Sequence, residues 1–366
     1  LGTMFSGSAI VDHRNVSGLK QGAADPILLF YTAAGGTSLL SAGQPFTQCL
    51  AYSVDGGDTF VKYAGNPVVP NLAEGNRDPK VIYDAGSGQY VMALYLDEDR
   101  FALLGSADLL HWHELQQLRI EGENECPDFY PLPVDGDAQN VKWVFSGAHD
   151  RYVVGSFDGA IFRPETPPRS LHYGVNGYAA QTFSNTPDGR RIRLSWNTFA
   201  PPTRGKGGMP FTGCQSVPCQ MRLKTIGGEP RLCLEPLPEL QSLYASVRTI
   251  RGPEIPDPIV LPQPQLDISL SFTPGRAWKI TLFGMLIEGD GATLRCLGRT
   301  APLPRGEARL RLLVDRASIE LFVGEGDAWF CTGFLMRGDL NQLRIQGAAV
   351  RELQIAELQG IWPQRG

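Results

Sequence analysis

The sequence contains little charge and no excess of basic residues. Charged residues make up 19 % of the 366, and 33 lysines and arginines against 38 acidic residues leave a net charge of −5. Phosphate binding needs clustered Lys and Arg, so this composition argues against a nucleic-acid partner. No apolar run reaches the ~18 residues that cross a bilayer, so no membrane partner is expected. The first residues also lack the basic and apolar segments of a secretory signal.

Cysteine is sparse and unpatterned. The seven cysteines are scattered without a Cys-x-x-Cys pair, and no histidine near Cys214 and Cys219 completes a zinc site. We therefore predict isolated, buried thiols, with no metal and no cofactor. The odd number of thiols and the missing signal favour a cytoplasmic location.

Glycine and proline, in contrast, are abundant. The 42 Gly and 28 Pro are about 19 % of the chain, against roughly 12 % in average proteins, which favours short strands joined by turns. Apolar residues alternate with polar ones at Leu266, Ile268, Leu270 and Phe272, the period of half-buried strands. Long helical periods are missing, although Pro236–Ser246 is compatible with one short helix. We predict an all-β protein.

A Ser-x-Asp motif recurs at intervals of about 50 residues, the length of a four-stranded propeller blade. It occurs at Ser53-Val-Asp55, Ser106-Ala-Asp108 and Ser156-Phe-Asp158. An aspartate in such a turn caps its own backbone, and an aromatic residue follows each copy. About four blades of ~50 residues fit before residue 250. An incomplete ring of blades leaves unpaired strand edges, which makes self-association through an open propeller edge an expected property.

A proline-rich segment divides the chain. Residues 251–264 contain five prolines, a composition typical of an extended linker. We therefore predict a β-propeller over residues 1–250, a linker at 251–264, and a β-sandwich of short alternating strands over residues 265–366.

Two acidic residues in the propeller half are candidates for chemistry. Asp78 follows Arg77, and a neighbouring guanidinium favours the ionised form of a carboxylate. Glu125 lies between an acidic loop and an aromatic strand, a setting in which a raised pKa suits a general acid. Taken alone, each residue is more typical of a solvated surface than of an active site.

The order of three short motifs strengthens the functional interpretation. Phe5–Ala9 (FSGSA), Arg77–Lys80 (RDPK) and Glu125–Tyr130 (ECPDFY) occur one per repeat, each near the start of a unit. The innermost strands of propeller blades converge on one funnel, where these motifs would meet. With these motifs the sequence resembles glycoside hydrolase family 32, the β-fructofuranosidases that include invertases, inulinases and levanases. The resemblance continues at Tyr178–Phe183 and Gly208–Phe211 and covers essentially the whole chain.

This resemblance implies a five-bladed β-propeller followed by a β-sandwich, and retaining hydrolysis of levan, inulin or sucrose. It implies that Glu125 is the general acid/base, that Asp78 stabilises the transition state, and that Arg77 orients the sugar ring and the carboxylates. It further implies that Phe5 and Ser6 line the fructose pocket. A hydrogen bond to a sugar hydroxyl that strengthens in the transition state contributes several kcal/mol.

The resemblance is incomplete at the N-terminal end. Family members carry a nucleophilic aspartate in an Asn-Asp-Pro-Asn segment of the first blade, and no Asn-Asp-Pro occurs in these 366 residues. A retaining glycosidase needs two carboxyl groups about 5–5.5 Å apart. We therefore expect that the sequence starts after the first blade and that this chain alone is catalytically impaired. The alternative is a non-catalytic fructan-binding or scaffold protein that keeps the pocket without the nucleophile.

Overall fold

The computed structural model describes residues 2–199, 212–304, 306–334 and 340–361. The motif Gly208–Phe211 lies outside the described residues. The chain forms two compact units, Leu1–Arg169 with Ala179–Ser184, and Ser170–Tyr178 with Asn185–Gly366. This grouping does not test the predicted domain boundary at residues 251–264, which stays a prediction.

The first unit consists of antiparallel strands in successive groups of four. In chain order the strands are β1 (Thr3–Val11), β2 (Ile27–Ala34), β3 (Thr47–Ser53), β4 (Val61–Lys62), β5 (Arg77–Asp84), β6 (Gln89–Asp97), β7 (Arg100–Ser106), β8 (His113–Arg119), β9 (Asp128–Val134), β10 (Asp137–Ser146), β11 (Arg151–Phe157), β12 (Phe162–Pro164) and β13 (Arg169–Ser170). Strands β1–β4 form one sheet in sequence order, β5–β8 form a second, and β9–β12 follow the same order. A short 3₁₀ helix, Leu39–Ser41, follows β2. The predicted four-stranded blade is thus confirmed three times.

Apolar side chains fill the spaces between these blades. One buried cluster joins Phe30 of the first blade to Met92 of the second, and another joins Val91 of the second blade to Phe145 of the third. Met92 therefore packs towards the first blade and its neighbour Val91 towards the third, because successive side chains of a strand point to opposite faces of the sheet. This explains why β6 is the nearly continuous apolar run Tyr90–Leu96, since a strand covered on both faces has no solvated side.

The Ser-x-Asp motifs form the turns that follow the third strand of each blade, β3, β7 and β11, and lead to the fourth strand. Asp55, Asp108 and Asp158 each accept hydrogen bonds of 2.8–3.0 Å from backbone amides two to four residues later. The serine hydroxyls of the first two copies donate to the aspartate of the same motif. The predicted capping role of these aspartates is confirmed, and it gives the repeat a structural cause.

The second unit also consists of antiparallel strands. They are β14 (Gly177–Phe183), which crosses from one unit to the other along the chain, β15 (Ile192–Asn197), β16 (Cys214–Gln215), β17 (Cys219–Ile226), β18 (Glu229–Pro236), β19 (Tyr244–Arg251), β20 (Ile259–Val260), β21 (Leu266–Leu282), β22 (Met285–Gly289), β23 (Thr293–Cys296), β24 (Arg299–Pro302), β25 (Ala308–Asp315), β26 (Ser318–Val323), β27 (Ala328–Gly333) and β28 (Gln342–Leu358). The helix predicted around Pro236–Ser246 is a 3₁₀ helix, Pro238–Leu243, and a second one spans Gly252–Glu254.

Two long strands organise the C-terminal part of this unit. Strands β21 and β28 pair antiparallel along most of their lengths, with a break in register between Pro274 and Lys279. The alternation predicted from Leu266 to Phe272 is confirmed, because the four apolar side chains are buried in one large core cluster. The sheet has the order β24-β23-β22-β21-β25-β26-β27, and β28 pairs with β21 outside this sequence of neighbours. A β-sandwich over residues 265–366 stays a prediction.

Among the residues that the structure describes, no helix has both the length and the apolar character needed to cross a membrane.

Candidate active site

Asp78 lies at the start of β5 in an unusual backbone conformation. Its φ is +62°, a left-handed conformation that non-glycine residues rarely adopt. The residue is 9 % exposed, and its amide donates a hydrogen bond of 3.0 Å to Thr32 Oγ1. Because such a conformation is unfavourable on its own, the surrounding contacts must hold it in place.

A buried network of uncharged groups supplies those contacts. Thr32 Oγ1 also donates to Gln48 Oε1 at 2.7 Å, and Gln48 Nε2 donates to the backbone oxygen of Asn76 at 3.0 Å. Thr32, Gln48 and Asn76 are all fully buried. The segment that carries Arg77 and Asp78 is therefore fixed by hydrogen bonds from β2 and β3 of the preceding blade.

Glu125 and Cys126 form a second strained segment, immediately before β9. Both have a φ of +42°, and Pro127 follows them. Gln181 holds the segment from β14, because its Nε2 donates to the backbone oxygens of Cys126 at 3.0 Å and of Pro127 at 3.2 Å. Two consecutive left-handed residues turn the Glu125 side chain out of the regular strand path, where it is 27 % exposed.

Two direct links bring these strained segments together. Arg77 Nε donates to Glu125 Oε1 at 3.2 Å, and Arg77 Nη2 donates to the same oxygen. The amide of Cys126 donates to Asp78 Oδ2 at 3.1 Å. Arg77 is itself placed by a 2.7 Å bond from Nη1 to the backbone oxygen of Gly75. The structure thus places Arg77, Asp78 and Glu125 in one cluster, as their motifs predict.

The electrostatic environment of Asp78 is mixed. Burial raises the pKa of its carboxyl, and the charge of Glu125 adds to this, whereas the Cys126 amide and the charge of Arg77 act in the opposite direction. Burial also raises the pKa of the Cys126 thiol, and the charge of Asp78 contributes to that shift. The thiol is therefore neutral at physiological pH and donates weakly to Asp78 Oδ2, at 3.6 Å. A buried carboxylate with few donors keeps capacity to accept hydrogen bonds from a ligand.

Phe5 and Ser6 lie on β1, on an exposed and irregular stretch. The register of β1 against β2 shifts between Met4 and Gly7, and Phe5 is 40 % exposed with its ring edge-on to Phe46. The contacts described for Phe5 do not reach the carboxylate cluster. The residue of β1 that joins β5 is Ser8, whose hydroxyl donates to Pro79 O at 2.8 Å and accepts from Val81 N at 2.9 Å.

Gly7 is required where β1 approaches β2. A Cβ atom at this position would lie 1.8 Å from the backbone oxygen of Phe30, a distance that no side chain tolerates. A glycine therefore lets β1 pass close to its neighbour between the exposed residues and Ser8.

A buried ion pair lies on the strands that follow the two strained segments. Lys80 Nζ is 3.7 Å from Asp128 Oδ1, and both side chains are buried. Lys80 also donates to the backbone oxygen of Thr182 at 2.6 Å, and the Thr182 amide donates to Asp128 Oδ2 at 2.8 Å. These contacts join β5, β9 and β14. Both charged residues lie inside the RDPK and ECPDFY motifs, but their pairing is not visible in the sequence.

The cysteines are largely as predicted. The seven described cysteines form no disulfide, and five of them are buried. The prediction is wrong for Cys214, which is exposed, and Cys126 is only partly buried. Within the described ranges, no group of three or more histidine, cysteine or acidic side chains is arranged to hold a metal ion.

Comparison with known families identifies the chain. The profile described as "Glycosyl hydrolases family 32 N-terminal domain" matches residues 2–236, which include both strained segments and the Arg77–Glu125 pair. The chain belongs to glycosyl hydrolases family 32. The resemblance read from the FSGSA, RDPK and ECPDFY motifs is thereby confirmed.

Individual members of the family are similar to the whole chain or to part of it. The levanase of Bacillus subtilis is 29 % identical over 423 residues, which cover 99 % of this chain and 61 % of the levanase. The extracellular exo-inulinase of Meyerozyma guilliermondii is 35 % identical over 212 residues, 53 % of this chain and 40 % of that enzyme. The chain therefore spans less than two thirds of the length of either relative.

A solved structure agrees with the fold. The crystal structure of exo-inulinase from Aspergillus awamori superimposes with a TM-score of 0.82 at 23 % identity and covers 98 % of this chain and 84 % of that one. At this identity the likeness concerns the fold alone. Together with the four-stranded groups of the first unit, it confirms the all-β, propeller-type fold class.

Proposed function

We propose that this chain takes part in the hydrolysis of β-fructofuranosides, with levan, inulin and sucrose as the substrate class. The observation that carries the proposal is the contact between the two strained segments. Arg77 binds the carboxylate of Glu125, and the Asp78 carboxylate accepts a hydrogen bond from the amide of Cys126. The relatives described as levanase and exo-inulinase support this substrate class.

Glu125 is proposed as the general acid/base. Its carboxyl group is partly exposed and held by a guanidinium, so it is fixed in position and still reaches a ligand. In the first step it donates its proton to the leaving oxygen as the bond from that oxygen to the fructosyl carbon breaks and a carboxylate nucleophile forms a bond to that carbon. In the second step water displaces this carboxylate from the carbon, and Glu125 takes the proton of the attacking water. None of the proposed site residues is this nucleophile.

Asp78 and Arg77 are proposed to bind the fructosyl ring. The buried Asp78 carboxylate accepts hydrogen bonds from sugar hydroxyls and stabilises the positive charge of an oxocarbenium-like transition state. Arg77 orients Glu125, and Phe5 and Ser6 line the pocket on the β1 side. Each of these roles requires the ligand to lie over the cluster, next to the exposed stretch of β1.

A second candidate function is fructan binding without turnover. The observation that favours it is the absence of an Asn-Asp-Pro segment from these 366 residues, since retaining chemistry needs a carboxylate nucleophile as well as the acid/base. In this case Asp78, Arg77 and Glu125 would hold a fructosyl unit, and no product would form.

One set of assays distinguishes the two candidates. Fructose release from sucrose, levan and inulin is measured for the purified chain and for Glu125→Gln, with binding of the same sugars followed by calorimetry. A hydrolase loses about 100-fold or more in kcat/KM in the Glu125→Gln variant, the usual contribution of a general acid.

The matched control is Glu121→Gln, which makes the same change at an exposed carboxyl of the same loop. Sugar binding without fructose release in either form favours the second candidate. If neither binding nor release is detected, both candidates are wrong.

A further inference from the structure

Glu123 is a buried carboxylate two residues before the proposed acid/base. Its side chain is 0 % exposed. Oε1 accepts hydrogen bonds from the amides of Asn124 at 2.9 Å and His149 at 2.8 Å, and Oε2 accepts from the amide of Arg151 at 2.8 Å. Burying a charge without partners is costly, so these amides are a condition for the placement of this carboxylate.

The hydrogen bonds connect two loops. Asn124 lies immediately before the strained segment Glu125–Cys126, whereas His149 lies in the connection between β10 and β11 and Arg151 is the first residue of β11. The same loops are joined by the amide of Ala148, which donates to the backbone oxygens of Asn124 at 3.0 Å and Glu125 at 3.2 Å. Glu123 therefore joins the loop that carries Glu125 to the β10–β11 hairpin of the same blade.

Gly147, in the connection between β10 and β11, lies directly against the Glu123 side chain. A Cβ atom at Gly147 would lie 2.4 Å from Glu123 Cγ and 3.0 Å from the backbone oxygen of Asn124. His149 Nδ1 lies 3.3 Å from Glu123 Oε1, and this hydrogen bond raises the pKa of the imidazole against the opposing effect of its burial. The carboxylate is thus enclosed by backbone amides, one imidazole and a glycine.

We propose that Glu123 is a positioning residue for Glu125, a role that deepens the proposed hydrolytic function and rests on it. The left-handed conformations of Glu125 and Cys126 persist only if their surroundings hold them. A general acid displaced by about 1 Å from the leaving oxygen loses much of its effect. Glu123 holds this loop from one side, as Gln181 does from the other.

The kinetic test uses two substrates with different needs for a proton. Sucrose has a poor leaving group that requires the acid, whereas an aryl β-fructofuranoside with a nitrophenol leaving group does not. In Glu123→Gln, an NH₂ group faces the Arg151 amide in place of an accepting oxygen. We expect kcat/KM for sucrose to fall about 10-fold and kcat/KM for the aryl fructoside to change by less than about 2-fold.

Two further variants control this result. Glu121→Gln makes the same chemical change at an exposed position and should leave both substrates unaffected. In Gly147→Ala the added methyl group displaces the Glu123 side chain, so this variant should show the same selective loss of kcat/KM for sucrose. It tests the proposal independently if Glu123→Gln fails to fold. An equal loss for both substrates, or no loss for either, overturns the proposal.

A second measurement does not depend on turnover. Amide hydrogen exchange in peptides covering residues 122–127 and 147–152 should be faster in Glu123→Gln and Gly147→Ala than in the wild type and in Glu121→Gln. If the wild-type chain hydrolyses neither substrate, the proposed function fails, and exchange alone decides the positioning role. Unchanged exchange in both loops overturns it.

Discussion

The blades of the first unit carry aspartates in the turns after their third strands and at the start of β5. The surroundings shift the carboxyl pKa values of these two groups in opposite directions. The aspartates that close the third strands are satisfied locally. Burial would raise the pKa of Asp108, but hydrogen bonds from the His111 side chain and nearby amides lower it to about 2. Hydrogen bonds from the backbone and from neighbouring side chains also lower the pKa of Asp55 and Asp158. At the start of β5, burial instead raises the pKa of Asp78.

The difference separates the structural carboxylates of the turns from the carboxylate of Asp78, for which a role in the site is proposed. A turn aspartate directs most of its acceptor capacity to amides and side chains of its own turn, so less remains for a ligand. Asp78 is held through its amide by Thr32, while its carboxylate accepts from Cys126 and keeps further lone pairs. Position in the blade, backbone strain and unused acceptor capacity together distinguish the two kinds of aspartate.

Glu320 in the second unit shows that burial alone does not mark a site. Burial raises the pKa of this carboxyl to about 7. Its Oε1 accepts from the amide of Val217 at 2.6 Å and its Oε2 from Trp329 Nε1 at 3.1 Å. Both oxygens thus have structural donors in the same unit, one from the connection between β16 and β17 and one from β27.

The largest effect is expected from Asp78→Asn. The variant keeps the size of the side chain but loses the negative charge that stabilises the positively charged transition state, so kcat/KM for fructose release should fall about 100-fold or more. Because the folded state raises the pKa of Asp78, the ionised group opposes folding, and this cost appears as pH rises through the folded pKa. The variant should therefore unfold at a higher temperature than the wild type at neutral pH.

These two outcomes are read from fructose release and from thermal unfolding followed by circular dichroism. A variant that keeps its activity, or that loses both activity and stability, contradicts the distinction between the two kinds of aspartate.

A smaller, pH-dependent effect on stability is expected from Glu320→Gln. The pKa of Glu320 is about 7 in the folded state against 4.5 for an unperturbed group. The protonated Glu320 carboxyl therefore stabilises the folded state. This contribution to the free energy of unfolding, up to about 3 kcal/mol, is fully present below pH 4.5 and is lost as pH rises through about 7. Glutamine does not titrate, so thermal unfolding between about pH 5 and about pH 8 should depend less on pH in the variant.

Glu254→Gln, at an exposed carboxyl of the same unit, serves as the control for this titration. A pH dependence in Glu320→Gln as steep as in the wild type would show that the buried carboxyl does not titrate in this range.

The smallest effect is expected from Asp108→Ala. The folded pKa of Asp108 is about 2, so its stabilisation is present above the ordinary value of about 3.8 and is lost as pH falls towards 2. Removing the cap should cost about 1 kcal/mol of unfolding free energy at neutral pH, as other caps do. Chemical unfolding measures this loss. Fructose release should be unchanged, and a loss of activity as large as that of Asp78→Asn would contradict the comparison.

The parts of the fold and site that depend on local patterns could be predicted from the sequence. The alternation from Leu266 to Phe272 gave the strands, and the evenly spaced Ser-x-Asp turns gave the blades. The motifs containing Asp78 and Glu125 were expected to meet because the first strands of blades converge. Each of these inferences rests on a short pattern whose physical cause is the repeat itself.

The supporting contacts could not be predicted, because they join residues that are far apart in the chain. Thr32 lies 46 residues from Asp78, and Gln181 lies 55 residues from Cys126. Glu123 was visible only as part of an acidic loop, the pattern of a solvated surface, and its burial depends on amides of another hairpin. Threonine, glutamine and backbone amides carry no sequence signal for such pairings.

The network beneath Asp78 contains no charged group and is sealed from water, whereas the Arg77–Glu125 pair is partly exposed, at 22 % and 27 % of the two side chains. Dissolved ions screen accessible charges over about 10 Å at 0.1 M but do not act on buried neutral groups. Rising ionic strength will therefore weaken the Arg77–Glu125 pair, which fixes the proposed proton donor, while leaving the network that holds Asp78 in place. The concentration of salt in a buffer is thus expected to affect the Glu125 side of the cluster more than the Asp78 side.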